Sequence, residues 1–372
     1  MSVPSRSALV LAVIVAALGV GRTQSPGVGG AEAQESGNVV PLRAVQDEAS
    51  GSIAIYREGE DEPIVTQNAD PGHRPFLHPI VAPDGKGLAT QSSPDHHPHQ
   101  TGLYWGFTRV NGEPMDNDTL NQWFYRRDKP EDIARAVGRD YFHNLGGDYW
   151  RRDSAMVVTE SGSEVQWQTV YGMLDSEGNA LMTETQNWTM RAEEDRFILD
   201  LEWAGEAHTD VSINEMSYGG LFLRMPWHED IPGEAVNSAR QRNARAEGQR
   251  AMWVDVGMQV EGRDDMLHVA IFDHPMNVGF PQTWRVDGQL GVGLARSRMG
   301  DWHIPEGATE LIRHRLIVYT GELNELQLTE YWQEYAGAVE GAHPMAVIWC
   351  ACHQMFDEGG EIVRLPDITL AT

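Results

Sequence analysis

The chain of 372 residues carries 55 acidic side chains against 28 basic ones, a net charge of −27, with Lys86 and Lys129 its only lysines. Each phosphate contact needs a cation, so this balance argues against nucleic acid, anionic polymers and anionic membrane surfaces as partners. Only two cysteines occur, Cys350 and Cys352, so no disulfide framework holds the fold and the core must do so.

Arg6 precedes an apolar run over residues 8–20, and Ala31-Glu32-Ala33 supplies a small-x-small site. Residues 1–33 therefore read as a secretory signal peptide, which implies a periplasmic or secreted mature protein. The run has 13 residues, short of the roughly 20 that a spanning helix needs, and no later segment is apolar enough to span. Residues 34–49 read as a linker, 50–337 as the main domain and 338–372 as a C-terminal tail to which the pattern assigns no role. Cys350-Ala351-Cys352-His353 in that tail is a single pair beside an apolar run, which reads as packing.

Short extended runs cover residues 52–56, 63–65 and 76–81, separated by turn chemistry at Pro71-Gly72 and Pro83-Asp84-Gly85. The stretch over residues 95–106 concentrates groups that take, give or coordinate at neutral pH. His97 and His99 are two apart, and an extended backbone, which Pro98 favours for His97, would send both imidazoles from one face. That geometry suits two metal ligands or two sugar hydroxyls. Leu103-Tyr104-Trp105-Gly106-Phe107 then reads as an aromatic strand able to hold them.

Ten of the 31 aromatics lie between Tyr104 and Trp150, among them Trp105, Trp123, Phe124, Tyr125 and Tyr149, interleaved with Arg126, Arg127, Asp128 and Asp140. Flat faces beside charged forks are what a sugar ring needs, for its C–H surface and its hydroxyls. Asp128 and Pro130 start a short helix over 131–137, stopped by Gly138.

From residue 155 the alternation is strong: Val165, Trp167, Thr169 and Tyr171 share one face, and Phe197, Leu199, Leu201 and Trp203 another. Further strands are expected at 211–213, 221–225, 251–256, 267–272, 290–295 and 311–319. Strand after strand without helices between them means an all-β fold, a large antiparallel β-sandwich. One late helix covers 325–336, with Asn324 as N-cap, a stripe of Leu328, Tyr331, Trp332 and Tyr335, and Gly337 as its end.

His73-Arg74-Pro75-Phe76-Leu77-His78-Pro79, His97-Pro98-His99 through Gly106, Val110-Asn111-Gly112, Tyr218-Gly219-Gly220-Leu221 through Arg224, Trp253-Val254-Asp255 and Asp273-His274-Pro275 with Asn277 stand in a telling order. Together they resemble the PmoA-like family, a domain of unknown function, over about residues 50–337. The resemblance implies secreted bacterial proteins found among sugar-degrading systems and a sandwich of the galactose-mutarotase type. The chain departs from the family pattern at Gln100 and Thr101, where a further His and an Arg are usual. The methane-oxygenase chemistry in the family's name would need membrane spans, which this sequence lacks after the signal.

The expected function is a carbohydrate-active enzyme, a hydrolase, lyase or epimerase acting on a sugar or oligosaccharide. The catalytic candidates are His97, His99, Glu184 and His274, with Trp105, Tyr218, Arg224 and Asn277 holding the substrate. A divalent metal ion on His97, His99 and His274 is a variant that sequence leaves open. The alternative is a non-catalytic sugar-binding protein, which wants the aromatics but not the converging titratable groups. Gly291-Val292-Gly293-Leu294 lacks the third glycine of a dinucleotide fingerprint, and no phosphate loop or Gly-x-Ser-x-Gly elbow occurs.

Overall fold

The structure is a computed structural model and describes residues 38–337 apart from 117–118, 121–122, 124–130 and 145–146. The expected signal peptide, the tail over 338–372 with its two cysteines, and the segment from Phe124 to Pro130 lie outside the described residues.

Two nine-stranded antiparallel sheets share one apolar core. The first runs in the order Gly233–Asn237, Trp253–Gln259, Met266–Asp273, Thr309–Thr320, Arg196–Ala207, Ala180–Glu193, Val165–Leu174 and Trp150–Thr159, with Val39–Val40 paired onto Ala180–Glu193. The second runs Trp284–Val286, Val292–Leu294, Gly220–Leu223, Leu103–Gly106, Phe76–Ile80, Val65–Asn68, Ile53–Arg57, Leu42–Gln46 and Ser161–Gly162. A separate pair joins Val211–Ile213 to Trp302–Ile304.

The period of two explains the core. Phe197, Leu199, Leu201 and Trp203 are buried while Ile198, Asp200 and Glu202 are only partly so. Across the ladder Leu201 faces Trp188, and Trp188 faces Trp167, whose ring stacks on it with centres 6.1 Å apart. From the second sheet Leu42, Ile53, Ile55, Leu77 and Leu103 enter the same cluster.

The helix Glu325–Gly337 covers the far side of the first sheet. Asn324 caps it through its side-chain oxygen, which accepts the Gln327 amide at 3.1 Å. Leu328, Trp332, Tyr335 and Ala336 pack on Trp253, Ala270, Phe272 and Ile317, so the expected stripe is packing surface; Tyr331 sits only partly buried beside it.

Residues 34–49, read as a linker, hold two strands where they are described: Leu42–Gln46 pairs with Ile53–Arg57 and buries Leu42 and Ala44. An alternation of five residues is too short to stand out beside the turn at Asp47 to Ser50.

A second correction concerns Trp105, which was expected to hold substrate. Strand parity sends it inward, where it stacks on Trp203 at 4.7 Å and meets Phe107 edge-on at 5.6 Å, 2 % exposed. Its neighbour Tyr104 points to the opposite face, packing with Phe142 and Phe222. Trp105→Ala should therefore cost about 3–5 kcal/mol, as large-to-small changes in a close-packed core do. The check is a urea denaturation midpoint far below that of the parent protein.

Candidate functional site

The loop before the strand Leu103–Gly106 is not extended at His97-Pro98-His99. Two successive turns form it, closed by His97 N–H donating to the Pro94 carbonyl at 2.8 Å and Gln100 N–H to the His97 carbonyl at 2.9 Å. The Ser93 amide then donates to the Gln100 carbonyl at 2.7 Å and seals the loop. His97 and His99 still come together, with ring centres 5.6 Å apart.

Opposite this loop lies a turn over 140–144, laid against the strand because Gly106 has no side chain. A Cβ there would sit 2.8 Å from the Tyr141 carbonyl oxygen. The Phe142 amide donates to the Phe107 carbonyl at 2.9 Å, which holds the turn in place. Arg74, wholly buried, ties the two walls together: its guanidinium donates to the Tyr141, Phe142 and His99 carbonyls and lies 3.8 Å over the Tyr104 ring. Burial pulls Arg74 down to about 10, which leaves it charged at neutral pH.

Between these walls, over the outer face of the second sheet, opens a cleft of about 490 Å³. His97, His99, Gln100, His143, Tyr218, Arg285 and Asp287 give it polar groups; Trp123, Phe142, Tyr149 and Phe222 give it aromatic faces. His99 and His143 lie ring to ring at 4.5 Å, and Tyr218 is 5.6 Å from His143. His143 Nδ1 meets Asp140 Oδ2 at 2.7 Å, and its amide donates to Asp140 Oδ1 at 3.1 Å. Burial raises the Asp140 carboxyl, but the His143 ring and amide outweigh it and hold the group below the ordinary carboxylate range. Burial first, then the His143 and Arg74 charges, bring His99 down to about 2, so its imidazole is neutral at any working pH. His97 is lowered by burial and by Arg224.

Of the residues expected from sequence, His97, His99 and Tyr218 line this cleft. Arg224 lies behind it, fully buried, donating to His96 Nε2 at 2.8 Å and to the Gln289 carbonyl at 3.3 Å. Gly219-Gly220 admits another strand and not a ligand, since a Cβ on Gly220 would stand 2.9 Å from the Leu294 carbonyl oxygen. Glu184 is elsewhere: it faces into the core with Met182 and Trp188, 1 % exposed, accepting from Trp203 Nε1 at 2.8 Å and Gln186 Nε2 at 2.9 Å. His274 lines a different depression, on the first sheet beside Arg313, Arg315 and Tyr335. Asn277 braces the loop below it, donating to Asp273 at 2.8 Å and to the Arg313 carbonyl at 2.7 Å.

The three histidines thus do not share a site, because a strand end of the first sheet cannot reach the outer face of the second. Among the described residues no group of three His, Cys, Asp or Glu side chains is placed to hold a metal ion. Sequence reasoning missed Asp140 and His143 as a pair. The Asp-x-x-His spacing was the available signal, since an Asp side chain commonly caps an amide two or three residues on.

Burial raises Glu184 from 4.5 to about 7, against the bonds from Trp203 and Gln186. The folded carboxyl then stays neutral where the unfolded one ionises, so its contribution to stability is whole below pH 4.5 and is lost as pH rises to 7. Relative to Glu184→Gln, the parent protein should lose about 3 kcal/mol over that interval. Paired urea titrations at pH 4.5 and 7 measure it; parallel curves would contradict it.

No curated protein matches the sequence. Among solved structures, a GH36 α-galactosidase of Geobacillus stearothermophilus is similar at 9% identity and TM-score 0.37, over 74% of this chain and 40% of that one. An α-galactosidase of Lactobacillus brevis is similar at 9% identity and TM-score 0.34, over 79% of this chain and 42% of that one. A galactose mutarotase related enzyme of Lactobacillus acidophilus is similar at 8% identity and TM-score 0.30, over 74% of this chain and 97% of that one. The chain spans less than half the length of the α-galactosidases it matches. Likenesses of this size leave the chemistry to be read from the cleft itself. A family model matches residues 55–333, three quarters of the sequence, and the chain belongs to that family, a family of unknown function (DUF6807).

Proposed function

We propose that the protein is a secreted carbohydrate-active enzyme that moves a proton at a sugar held in this cleft, with His143 exchanging the proton and Asp140 orienting it. The observation that carries the reading is the 2.7 Å contact between His143 Nδ1 and Asp140 Oδ2 at a wall of the cleft. A carboxylate that fixes Nδ1 sets the tautomer and makes Nε2 the proton-exchanging atom. His99, held neutral 4.5 Å away, is suited to hydrogen-bond a substrate hydroxyl and unsuited to carry charge. The Trp123, Tyr149, Phe142 and Phe222 faces support stacking on the C–H side of a ring.

The geometry favours a lyase or epimerase over a hydrolase. Glycoside hydrolysis ordinarily takes two carboxyl groups flanking the bond, one of them raised to act as acid. Here Glu184 is sealed in the core, Asp140 is engaged by His143, and Asp287 Oδ1 accepts the Gln289 and Gly291 amides at 2.9 and 2.8 Å. Proton abstraction at a carbon beside a substrate carbonyl or carboxyl needs one oriented base and no flanking pair of enzyme carboxyls: His143 takes the proton, and it is then returned to the carbon in epimerisation or leaves with the departing oxygen in elimination. The PmoA-like motifs and the matched family are, in this reading, one domain, since His97 to Gly106, Tyr218 to Arg224 and Asp273 to Asn277 all fall within residues 55–333.

The test is a panel of plant and algal oligosaccharides with products read by mass, where an unsaturated or epimerised product is expected. His143→Ala should then lower kcat about a hundredfold or more with folding intact, and Asp140→Asn should lower it less and change the pH profile. Binding with no turnover on the whole panel would favour a non-catalytic sugar-binding protein instead. Export is a separate prediction: protein recovered outside the cytoplasm should begin at Gln34, as N-terminal sequencing would show.

A further inference from the structure

We infer that the sugar taken by this cleft is acidic, with one carboxylate on the ring that meets the histidines. The inference rests on the sugar reading above and names its substrate class. The chain as a whole stands at −27, yet behind the cleft's own Asp140, Asp287 and Arg285 stand two further, buried arginines. Arg74 and Arg224 are both 0 % exposed, and among the described residues neither has a carboxylate at ion-pair distance. Their hydrogen bonds go to neutral groups: main-chain carbonyls, the Thr101 hydroxyl and His96 Nε2. Arg285, which lines the cleft, shares the Glu247 carboxylate with Arg298, each at 2.7 Å. Against these four arginines stand Glu247, Asp140 and Asp287, while Glu184 on the core side of Arg74 is raised to about 7 and is neutral below it. Below pH 7 one positive charge is left over. A single ligand carboxylate balances it, a neutral sugar leaves it unbalanced, and a phosphate ester, close to doubly charged, overshoots.

The two buried guanidinium groups act through the wall and not by contact, and with little water between they are weakly screened. A second observation points to a ligand at the same place. Gln100 is 4 % exposed and lines the cleft, and its side-chain oxygen has no partner among the described residues. Turned about its last torsion, that amide offers its oxygen to a hydroxyl or its NH₂ to a carboxylate. His97 Nδ1 is buried and unpartnered in the same wall. The positive surroundings also help to depress His97, so an anion seated beside it should be taken up together with a proton.

Calorimetry on the full chain decides it, with galacturonate and glucuronate disaccharides as probes beside their carboxyl-reduced, neutral counterparts, at 0.05 M and 0.5 M salt. The acidic member of a pair should bind at least tenfold tighter, with a margin that narrows in high salt and in Arg285→Gln, and with proton uptake seen as a buffer-dependent heat. Equal or tighter binding of the neutral member overturns the acidic-sugar inference and leaves the sugar reading standing. Binding of neither member overturns both.

Discussion

The site depends on one buried cation. Arg74 has no exposed surface and spends its guanidinium on carbonyls from two separate loops, His99 on one side and Tyr141 and Phe142 on the other. Two of those carbonyls belong to His99, one of the cleft's imidazoles, and to Phe142, part of its aromatic surface. A lysine could reach one of them but not hold both walls, because it lacks the planar fork. The cost of keeping that charge out of water is offset by the hydrogen bonds and by the Tyr104 face 3.8 Å beneath it. Without the tie, the turn at Asp140 to Asn144 would keep its bonds to Phe107 and Leu174, but nothing of Arg74 would join it to the loop at His97 to Gln100.

Strand parity decides what that tie can build. Along Leu103–Gly106 one step separates Tyr104, which floors the outer face, from Trp105, which is locked in the core against Trp203. The same parity on the first sheet turns Glu184 inward, into a chain of bonds in which Trp188 Nε1 donates to Gln186 and Gln186 and Trp203 donate to Glu184. Those polar groups answer one another inside the sandwich and so specify its packing. They are out of a ligand's reach.

The sequence was most legible where alternation ran long. Over residues 165–174 and 196–207 every second residue is buried, apolar apart from Thr169 and Gly205, and the sandwich follows from that pattern. The late helix was legible too, from Asn324 and its stripe. Legibility failed where polar residues occupy both faces, as in Thr183-Glu184-Thr185-Gln186-Asn187, since period two then marks no inside. It failed again at His97-Pro98-His99, where a pair of turns gave the convergence expected of an extended strand. His274 could not be placed at all, because which sheet owns a strand end is a matter of topology and not of local pattern. Asp140 and His143 were hidden by their setting among aromatics and charges, although their spacing was in plain view.

The contrast between an acidic surface and a cleft with surplus positive charge limits what can enter. A long polyanion would meet the repulsion of the whole molecule before its first ring reached the histidines, and screening at physiological salt acts over only about 8 Å. A small acid pays much less of that repulsion and gains the local field of Arg74, Arg224 and Arg285. About 490 Å³ is room for one or two sugar rings, not a polymer. Within that cleft the Asp140 carboxylate, 2.7 Å from His143 Nδ1, fixes which ring nitrogen is left to face a ligand.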